Sequence, residues 1–165
     1  MEAIKSRVES PIPVSDSYTN QGTVKVRSKT VVVTTADRLE LVNLSDDIRE
    51  FADASGIEDG YVQISSLHTT AALMVNEWQD ALLTDVKAFL QRIVPREEYY
   101  KHNDPEHSDC DRKNGDAHLR NVILNHSLSI PIAQGKLVLG RWQSLILAEF
   151  DGPNQRKVFL QAFGI

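Results

Sequence analysis

Cysteine is almost absent from this chain, whose 165 residues include one, Cys110. No intramolecular disulfide can form, which is typical of proteins from a reducing compartment. Cys110 stands between Asp109 and Asp111, whereas a reactive thiolate needs cationic neighbours. We therefore interpret Cys110 as an exposed thiol without a catalytic role.

Long apolar runs and an excess of basic residues are also missing. No stretch approaches the roughly 20 apolar residues of a membrane span, and the first residues lack the apolar run of a signal peptide. The net charge of -5 and the pI near 5.5 argue against a general nucleic-acid or membrane-surface binder, because such proteins carry a basic excess to meet phosphates. We expect a cytoplasmic protein with neither nucleic acid nor membrane as a partner.

The remaining composition is that of an ordinary globular domain, with 41% hydrophobic and 25% charged residues. The length fits one domain. We predict a flexible N-terminal tail at residues 1–21, followed by a single domain at residues 22–165.

The local patterns predict strands at both ends of the chain and helices in its first two-thirds. The Val- and Thr-rich segment 22–35 indicates a strand or a hairpin, and the alternation at 60–67 indicates another strand. Helical spacing predicts SDDIREFADASG, with Ser45 as its N-cap and Gly56 as its stop, and a longer helix over 80–94. The last third is dense in strands: SLSIPI, KLVLG, QSLILAEF and RKVFLQAF. The expected fold class is α+β with a mainly antiparallel sheet or a partly closed barrel.

The stretch SSLHTTAALMVNE is the first that can carry chemistry. His68 directly follows a predicted strand, so its side chain can project from a rigid scaffold into a cleft. Thr69 and Thr70 add hydroxyl groups, and their backbone N–H groups can line an anion site. A buried structural histidine at a strand end explains His68 equally well, and spacing leaves both interpretations open.

The stretch NGDAHLRN places His118 in the first turn of a predicted helix, with Asn114 or Asp116 as its cap. The positive end of a helix favours a neutral imidazole, the form that binds a metal or accepts a proton. Three cations gather around the same turn, Arg112, Lys113 and Arg120. A helix N-terminus with cations favours a phosphate site, and the alternative is a solvated charged loop.

His102 lies in a long polar segment, residues 96–115. A polar loop of that length inside a compact domain is either functional or disordered. Histidine beside asparagine and aspartate is suited to ligating a divalent ion, and it is equally compatible with a solvated loop.

The stretch GRWQSLILAEFDGP places polar groups in an apolar frame. Glu149 comes late in the apolar run, where an unpaired carboxylate is costly, so it needs a partner, a metal or a catalytic reason. Gln143 shares the parity of Glu149. The alternative is a solvent-facing row, but that parity also contains Leu145 and Leu147.

Taken together, these blocks resemble the YjbQ-like family. The resemblance rests on SSLHTTAALMVNE, HND, NGDAHLRNVIL, SLSIPI and GKLVLGRWQSLILAEFDGP in this order, and it extends over residues 22–165. It implies an α+β fold with a mainly antiparallel sheet curled into a partly closed barrel with flanking helices, and assembly into a homotrimer. It also implies a secondary thiamine-phosphate synthase activity.

The resemblance also implies roles for individual residues. His68, His102 and His118 are the expected ligands of a divalent metal ion (Zn, Mg or Mn), and Glu77, Glu149 and Gln143 the expected catalytic groups. The expected substrate- and phosphate-binding residues are Thr69, Thr70, Asn76, Arg112, Lys113, Arg120 and Arg141. Many family members have a histidine where this chain has Asp116, and a carboxylate there shifts the preference toward harder ions.

The leading hypothesis is an enzyme that acts on a phosphorylated small molecule. By resemblance it joins a hydroxymethylpyrimidine diphosphate to a thiazole phosphate and releases diphosphate. One alternative is a metal-assisted phosphoester hydrolase, because three histidines and a carboxylate suit a metal-activated water. The other is a non-catalytic trimeric protein that binds a metal or a small ligand.

Overall fold

The computed structural model describes residues 18–165. Its helices are α1 (Ser45–Ser55), α2 (Asp80–Ile93) and α3 (Gly115–Ile123), with a short 3-10 turn at Lys101–Asn103. Its strands are β1 (Lys25–Thr34), β2 (Glu40–Asn43), β3 (Gly60–Ser66), β4 (Ala71–Asn76), β5 (Ser127–Ala133), β6 (Lys136–Leu137), β7 (Ser144–Glu149) and β8 (Gln155–Gly164).

The strands pair in two antiparallel groups. The larger group has the order β1-β8-β3-β5-β6, and the smaller has the order β2-β7-β4. The bridge between Leu73 and Asn125 ties β4 to the segment just before β5. The sheet therefore curls into a half-barrel with three helices, which confirms the predicted α+β architecture.

Strand β7 is buried on both faces and separates two apolar cores. Leu145 and Leu147 pack with α1 and the five-stranded group, whereas Ile146, Ala148 and Phe150 pack with α2 and α3. A strand that is buried on both faces reads as a continuous apolar run, which explains the sequence SLILAEF. Glu149 is the exception within that run, because it is completely buried as well.

Two predicted details of the elements differ from the structure. Of the two interpretations of segment 22–35, the single strand is the one observed, whereas within KLVLG only Lys136–Leu137 pairs as a strand. Ser45 does not cap α1 with its side chain, because its Oγ instead accepts a hydrogen bond from the backbone N–H of Leu145 at 3.0 Å. Gly56 does end α1, with a positive φ of 67°, as expected of a helix stop.

The predicted flexible tail falls mostly outside the described residues, which begin at Tyr18. Of its last four residues, Tyr18 and Asn20 donate hydrogen bonds from their side chains to the carboxylate of Asp59. Among residues 18–165, no helix has the length and apolar character needed to cross a membrane.

Candidate functional site

A buried ion pair joins the end of β7 to the start of β8. The Glu149 carboxylate accepts hydrogen bonds from Nε and Nη2 of Arg156, in a bidentate arrangement. It also accepts from the Thr35 hydroxyl at 3.1 Å and from the backbone N–H of Asp151 at 2.8 Å. Arg156 Nη2 reaches the Thr70 hydroxyl at 3.0 Å. Arg156 is thus the partner that the apolar setting of Glu149 demands.

Asp151 is the acceptor on which the polar side chains of this region converge. Its carboxylate accepts from Arg38 Nη1 at 2.9 Å, from Arg112 Nε at 2.8 Å and from Asn114 Nδ2 at 2.8 Å. Asp151 is buried, whereas the Arg112 side chain is half exposed. Asp151 therefore holds Arg112 at the mouth of the site while keeping much of its guanidinium open to solvent.

A second buried carboxylate, Asp116, continues the network behind the first turn of α3. It lies 3.2 Å from Arg38 Nη2 and 3.1 Å from Arg120 Nη1. The guanidinium of Arg120 also donates to the backbone carbonyl of Val94. Asp116 therefore does not cap α3 but is a buried, ion-paired carboxylate.

The hydrogen-bonded network contains one more guanidinium than carboxylates. Its carboxylates are Asp116, Glu149 and Asp151, and its guanidiniums are Arg38, Arg112, Arg120 and Arg156. A surplus cation in a partly buried polar cluster favours the binding of an anion.

His102 and His118 face each other beside this network. Their ring centroids are 4.8 Å apart in an edge-to-face arrangement, and His102 Nε2 lies 3.2 Å from Asn114 Oδ1. Burial and the neighbouring His102 lower the pKa of His118, against the opposing effect of Asp151. The neutral imidazole that the helix position predicts is therefore favoured.

His68 is held by the backbone of the neighbouring strand. Its Nε2 accepts a hydrogen bond from the N–H of Lys157 at 2.7 Å, so the ring carries its proton on Nδ1. Burial and the positive charge of Arg156 lower the pKa of His68, with a smaller contribution from Lys157 and an opposing one from Glu149. His68 is thus a neutral, half-buried group beside the ion pair.

These residues surround a polar cleft of about 220 Å³. Its lining residues are Thr69, Thr70, Arg112, Asn114, His118, Asp151, Asn154 and Arg156. The wall therefore offers two guanidiniums, two hydroxyls, side-chain amides and a neutral imidazole around one small volume, together with the carboxylate of Asp151, which is already paired with Arg38 and Arg112. Such a set of donors is suited to the oxygen atoms of a phosphate group.

A larger cavity of about 460 Å³ adjoins the cleft and shares Thr69 with it. Its other lining residues are Ser66, Leu67, His68, Asn121, Val122, Leu124 and His126. Asn121 follows His118 by three positions, so α3 presents both side chains on one face. The Oδ1 atom of Asn121 is buried and has no hydrogen-bond partner among residues 18–165.

Four predicted site residues lie at the opposite end of the three-stranded group. Ala71 pairs with Glu149 at the cleft end of β4, whereas Asn76 pairs with Ser144. Five residue steps separate the two ends, or about 16 Å along the strand. Asn76 Oδ1 accepts from the N–H of Glu77, and Gln143 Oε1 accepts from the N–H of Gly140. Arg141 stacks on Trp142 at 4.8 Å from the ring centroid.

Of the three remaining predicted cations, one lines the cleft and two do not. Arg112 lines the cleft, but Arg120 is buried in its bonds to Asp116 and Val94, and Lys113 is exposed and is not part of the cleft wall. Cys110 is half-buried rather than exposed, with its Sγ 3.7 Å from Asn114 Oδ1.

The three histidines do not form the ligand set that the resemblance implies. Among residues 18–165, no group of three or more His, Cys, Asp or Glu side chains is arranged to hold a metal ion. Nε2 of His68 is already an acceptor for Lys157, and the carboxylate of Asp151, whose charge acts on His118, is engaged by Arg38 and Arg112. The side chains present in one chain therefore do not fit a three-histidine metal centre.

Several residues of the site were not selected from the sequence, above all Arg156 and Asp151. A signal for Arg156 was available, because Arg156, Val158, Leu160 and Ala162 share the buried parity of β8. An arginine on the core face of a strand needs a buried carboxylate, which points to Glu149. Asp151 stands in the motif EFDGP, directly after the buried run.

Comparison with known proteins places this chain in one family. The model of the family described as "UPF0047 protein YjbQ-like" matches residues 29–165. A UPF0047 protein of Archaeoglobus fulgidus is 37% identical over 128 residues, which cover 78% of this chain and 94% of that protein. A UPF0047 protein of Methanothermobacter thermautotrophicus is 33% identical over 141 residues, covering 86% of this chain and 94% of that protein.

Solved structures agree with the sequence matches. A "YbjQ-like protein of unknown function" from Sulfolobus solfataricus P2 superposes with a TM-score of 0.81 at 31% identity, over 87% of this chain and 100% of the other. A hypothetical protein from Aeropyrum pernix K1 gives a TM-score of 0.77 at 32% identity, over 84% and 99% of the two chains. On these matches, the chain belongs to the UPF0047 (YjbQ-like) family.

Proposed function

We propose that the cleft between β7, β8 and α3 binds the phosphate groups of a small molecule and that the protein is an enzyme. The specific reaction that we propose joins a hydroxymethylpyrimidine diphosphate to a thiazole phosphate. The products are thiamine phosphate and diphosphate. The observation that carries the proposal is the surplus guanidinium of the network, with Arg112 held half exposed at the cleft.

The charge of the cleft suits a departing diphosphate. Negative charge grows on the leaving group as its bond to carbon breaks, and donors fixed in advance stabilise that charge. Arg112 is fixed by Asp151, while Thr69 and Asn114 add neutral donors at the wall. His118, neutral and half-buried, is placed to transfer a proton near neutral pH.

The size of the cleft suits the phosphate groups rather than a whole substrate. Sites for small organic ligands usually measure about 300–1,000 Å³, so about 220 Å³ takes only the charged end. The adjoining cavity of about 460 Å³ has apolar walls at Leu67, Val122 and Leu124. We assign the ring of the substrate to this cavity, where a ring amino group can donate to the unpaired Oδ1 of Asn121.

The proposal includes assembly into a homotrimer in the cytoplasm. Support for assembly comes from the exposed apolar side chains around α3, since Leu119, Val122 and Ile123 are 46%, 78% and 48% exposed. Such a cluster on one short helix is typical of a surface that packs against another chain. Light scattering of the purified protein measures the number of subunits.

A trimer also offers a role for the residues at the far end of β4. Glu77 directly follows Asn76, which lies about 16 Å along β4 from the cleft end of the strand, so Glu77 can act at a cleft only from a neighbouring subunit. We expect mixed trimers of Arg112→Gln and Glu77→Gln chains to recover activity if a neighbour supplies Glu77. If mixed and unmixed samples lose the same share of activity, Glu77 does not act in catalysis.

The assay is the release of diphosphate from the pyrimidine diphosphate, with and without the thiazole phosphate, in a buffer that contains Mg²⁺. We expect release to depend on the acceptor and to fall about 100-fold in Arg112→Gln, because one charge-assisted contact is lost. Arg49→Gln, at an exposed arginine of α1, is the matched control. Release of diphosphate without the thiazole phosphate would favour the alternative of a phosphoester hydrolase. Binding of the substrate without turnover would favour the alternative of a non-catalytic ligand-binding protein.

A further inference from the structure

We propose that this protein has a second anion-binding site, in a separate cavity of about 380 Å³ between α2, α3 and the loop before β2. The lining residues are Arg38, Leu39, Gln91, Pro95, Arg96, Glu97 and Arg120. The ligand class that fits is a small molecule with a phosphate or carboxylate group. This cavity shares no lining residue with the cleft, although Arg38 joins the two through its bond to Asp151.

Three guanidiniums face this cavity against one carboxylate, that of Glu97. The two carboxylates that hold Arg38, namely Asp116 and Asp151, lie outside its wall. Arg96 is exposed, so its long side chain can close over a bound ligand. The wall of the cavity is therefore positively charged, and the carboxylates that are paired with Arg38 lie outside the wall.

Arg38 supplies the second, independent observation. Its two Nη atoms are bonded to Asp151 and Asp116, but its Nε is buried and has no hydrogen-bond partner among residues 18–165. A buried donor without an acceptor is energetically unfavourable. An anion oxygen in the cavity provides the missing acceptor for this guanidinium.

Repulsion among the three arginines also favours a bound anion in this cavity. Burial lowers the pKa of Arg120, and the neighbouring charges of Arg38 and Arg96 lower it further, against Asp116 and Tyr100. The three guanidiniums therefore lie close enough to repel one another. A bound anion offsets this repulsion, whereas Glu97 alone sits at the rim as an exposed residue.

The test is a calorimetric titration with inorganic phosphate at low ionic strength, using the full chain. We expect two binding events in the wild type. The affinity of one should fall at least 10-fold in Arg96→Gln, and the affinity of the other should fall at least 10-fold in Arg112→Gln. Glu97→Gln should strengthen the Arg96-dependent event several-fold, since it removes a repelling charge; misfolding cannot produce such a gain. Arg49→Gln is again the control.

Each result separates this site from the cleft. A single event that disappears in Arg96→Gln and survives in Arg112→Gln supports the second site and contradicts the phosphate role of the cleft. Events that are all unchanged in Arg96→Gln and Glu97→Gln overturn the second site and leave the cleft standing. Absence of phosphate binding in the wild type overturns both.

Discussion

Arg156 and Glu149 form a buried bidentate ion pair, with the arginine on β8 and the carboxylate at the end of β7. Their side chains are 7% and 0% exposed. Because β7 and β8 belong to different strand groups, this pair fixes the junction of the half-barrel at the cleft. Glu149 thereby positions Arg156, whose Nη2 also bonds to Thr70 in the cleft wall.

Removal of Arg156 should therefore be strongly destabilising. We expect Arg156→Met to lower the free energy of unfolding by about 3–5 kcal/mol, since it leaves Glu149 buried without a counter-charge. The double variant Arg156→Met with Glu149→Met should recover most of the loss, because an apolar pair carries no desolvation penalty. Urea unfolding measures both.

The control for this pair is Arg49→Met, which breaks the exposed pair of Arg49 with Asp46 on α1. Exposed pairs contribute little, so we expect its unfolding midpoint to stay close to that of the wild type. An Arg156→Met protein as stable as the Arg49→Met protein would contradict the structural role of the buried pair.

The hydrogen bond of His68 predicts its tautomer. Because Nε2 accepts from the N–H of Lys157, we expect a neutral ring protonated on Nδ1 at pH 7.5. The ¹⁵N shifts of the imidazole distinguish the two tautomers directly. We further expect the Nε2 signal to stay in place when one equivalent of zinc is added; a stoichiometric shift of that signal would restore His68 as a metal ligand.

His68 and His118 predict a pH dependence of stability. The pKa values of His68 and His118 in the folded chain lie below their ordinary value of 6.5. As the pH falls through 6.5, the unfolded chain binds protons that the folded chain does not, so the stability decreases toward acid pH. Their contribution is fully present above pH 6.5 and declines until the folded pKa values are reached.

Unfolding by urea at pH 7.5 and at pH 5.5 measures this effect. We expect the difference between the two pH values to shrink in His118→Gln, because one of the two groups no longer titrates. His107→Gln, at an exposed histidine, should keep the wild-type difference. An unchanged difference in His118→Gln would show that His118 titrates alike in both states.

Gly115 allows α3 to approach the loop that carries His102. A Cβ atom at this position would lie 2.8 Å from Tyr100 Cβ and 3.1 Å from Asn103 Oδ1, closer than packed atoms allow. We expect Gly115→Ala to lower the free energy of unfolding by about 1–3 kcal/mol and to disturb the contact between His102 and His118.

Aromatic proton NMR reports the contact of the two rings, and urea unfolding reports the stability. Glu50→Ala, at an exposed position of α1, is the control and should change neither. Wild-type imidazole shifts in Gly115→Ala would mean that the loop gives way without moving the histidines.

The part of the site that the sequence predicted is the part built from short segments. Thr69 and Thr70 follow a strand, and Arg112 and His118 flank the start of a helix, so local patterns were enough to select each of them, and all four line the cleft. The shared parity of Leu145, Leu147 and Glu149 also indicated that Glu149 is buried. By contrast, Asn76 and Glu77 stand close to His68 in the chain and yet lie at the other end of β4.

That separation has a simple physical reason. A strand advances about 3.3 Å per residue, so the two ends of β4, five positions apart, cannot share a small cleft. Sequence proximity predicts spatial proximity within a turn, but an extended strand carries its two ends apart. For the same reason Gln143 and Arg141 lie away from the cleft, because they precede Ser144 at the end of β7 opposite to Glu149.

By itself, the sequence determined the fold class, the alternation of strands and helices and the family, since periodicity and ordered motifs are properties of the chain alone. Only the tertiary structure decided which charges meet: Arg156 with Glu149, Arg112 with Asp151, and Arg38 with both Asp116 and Asp151. These pairs join residues up to 113 positions apart. Burial in one low-dielectric region makes such pairings strong, and neither spacing nor composition encodes which distant residues share that region.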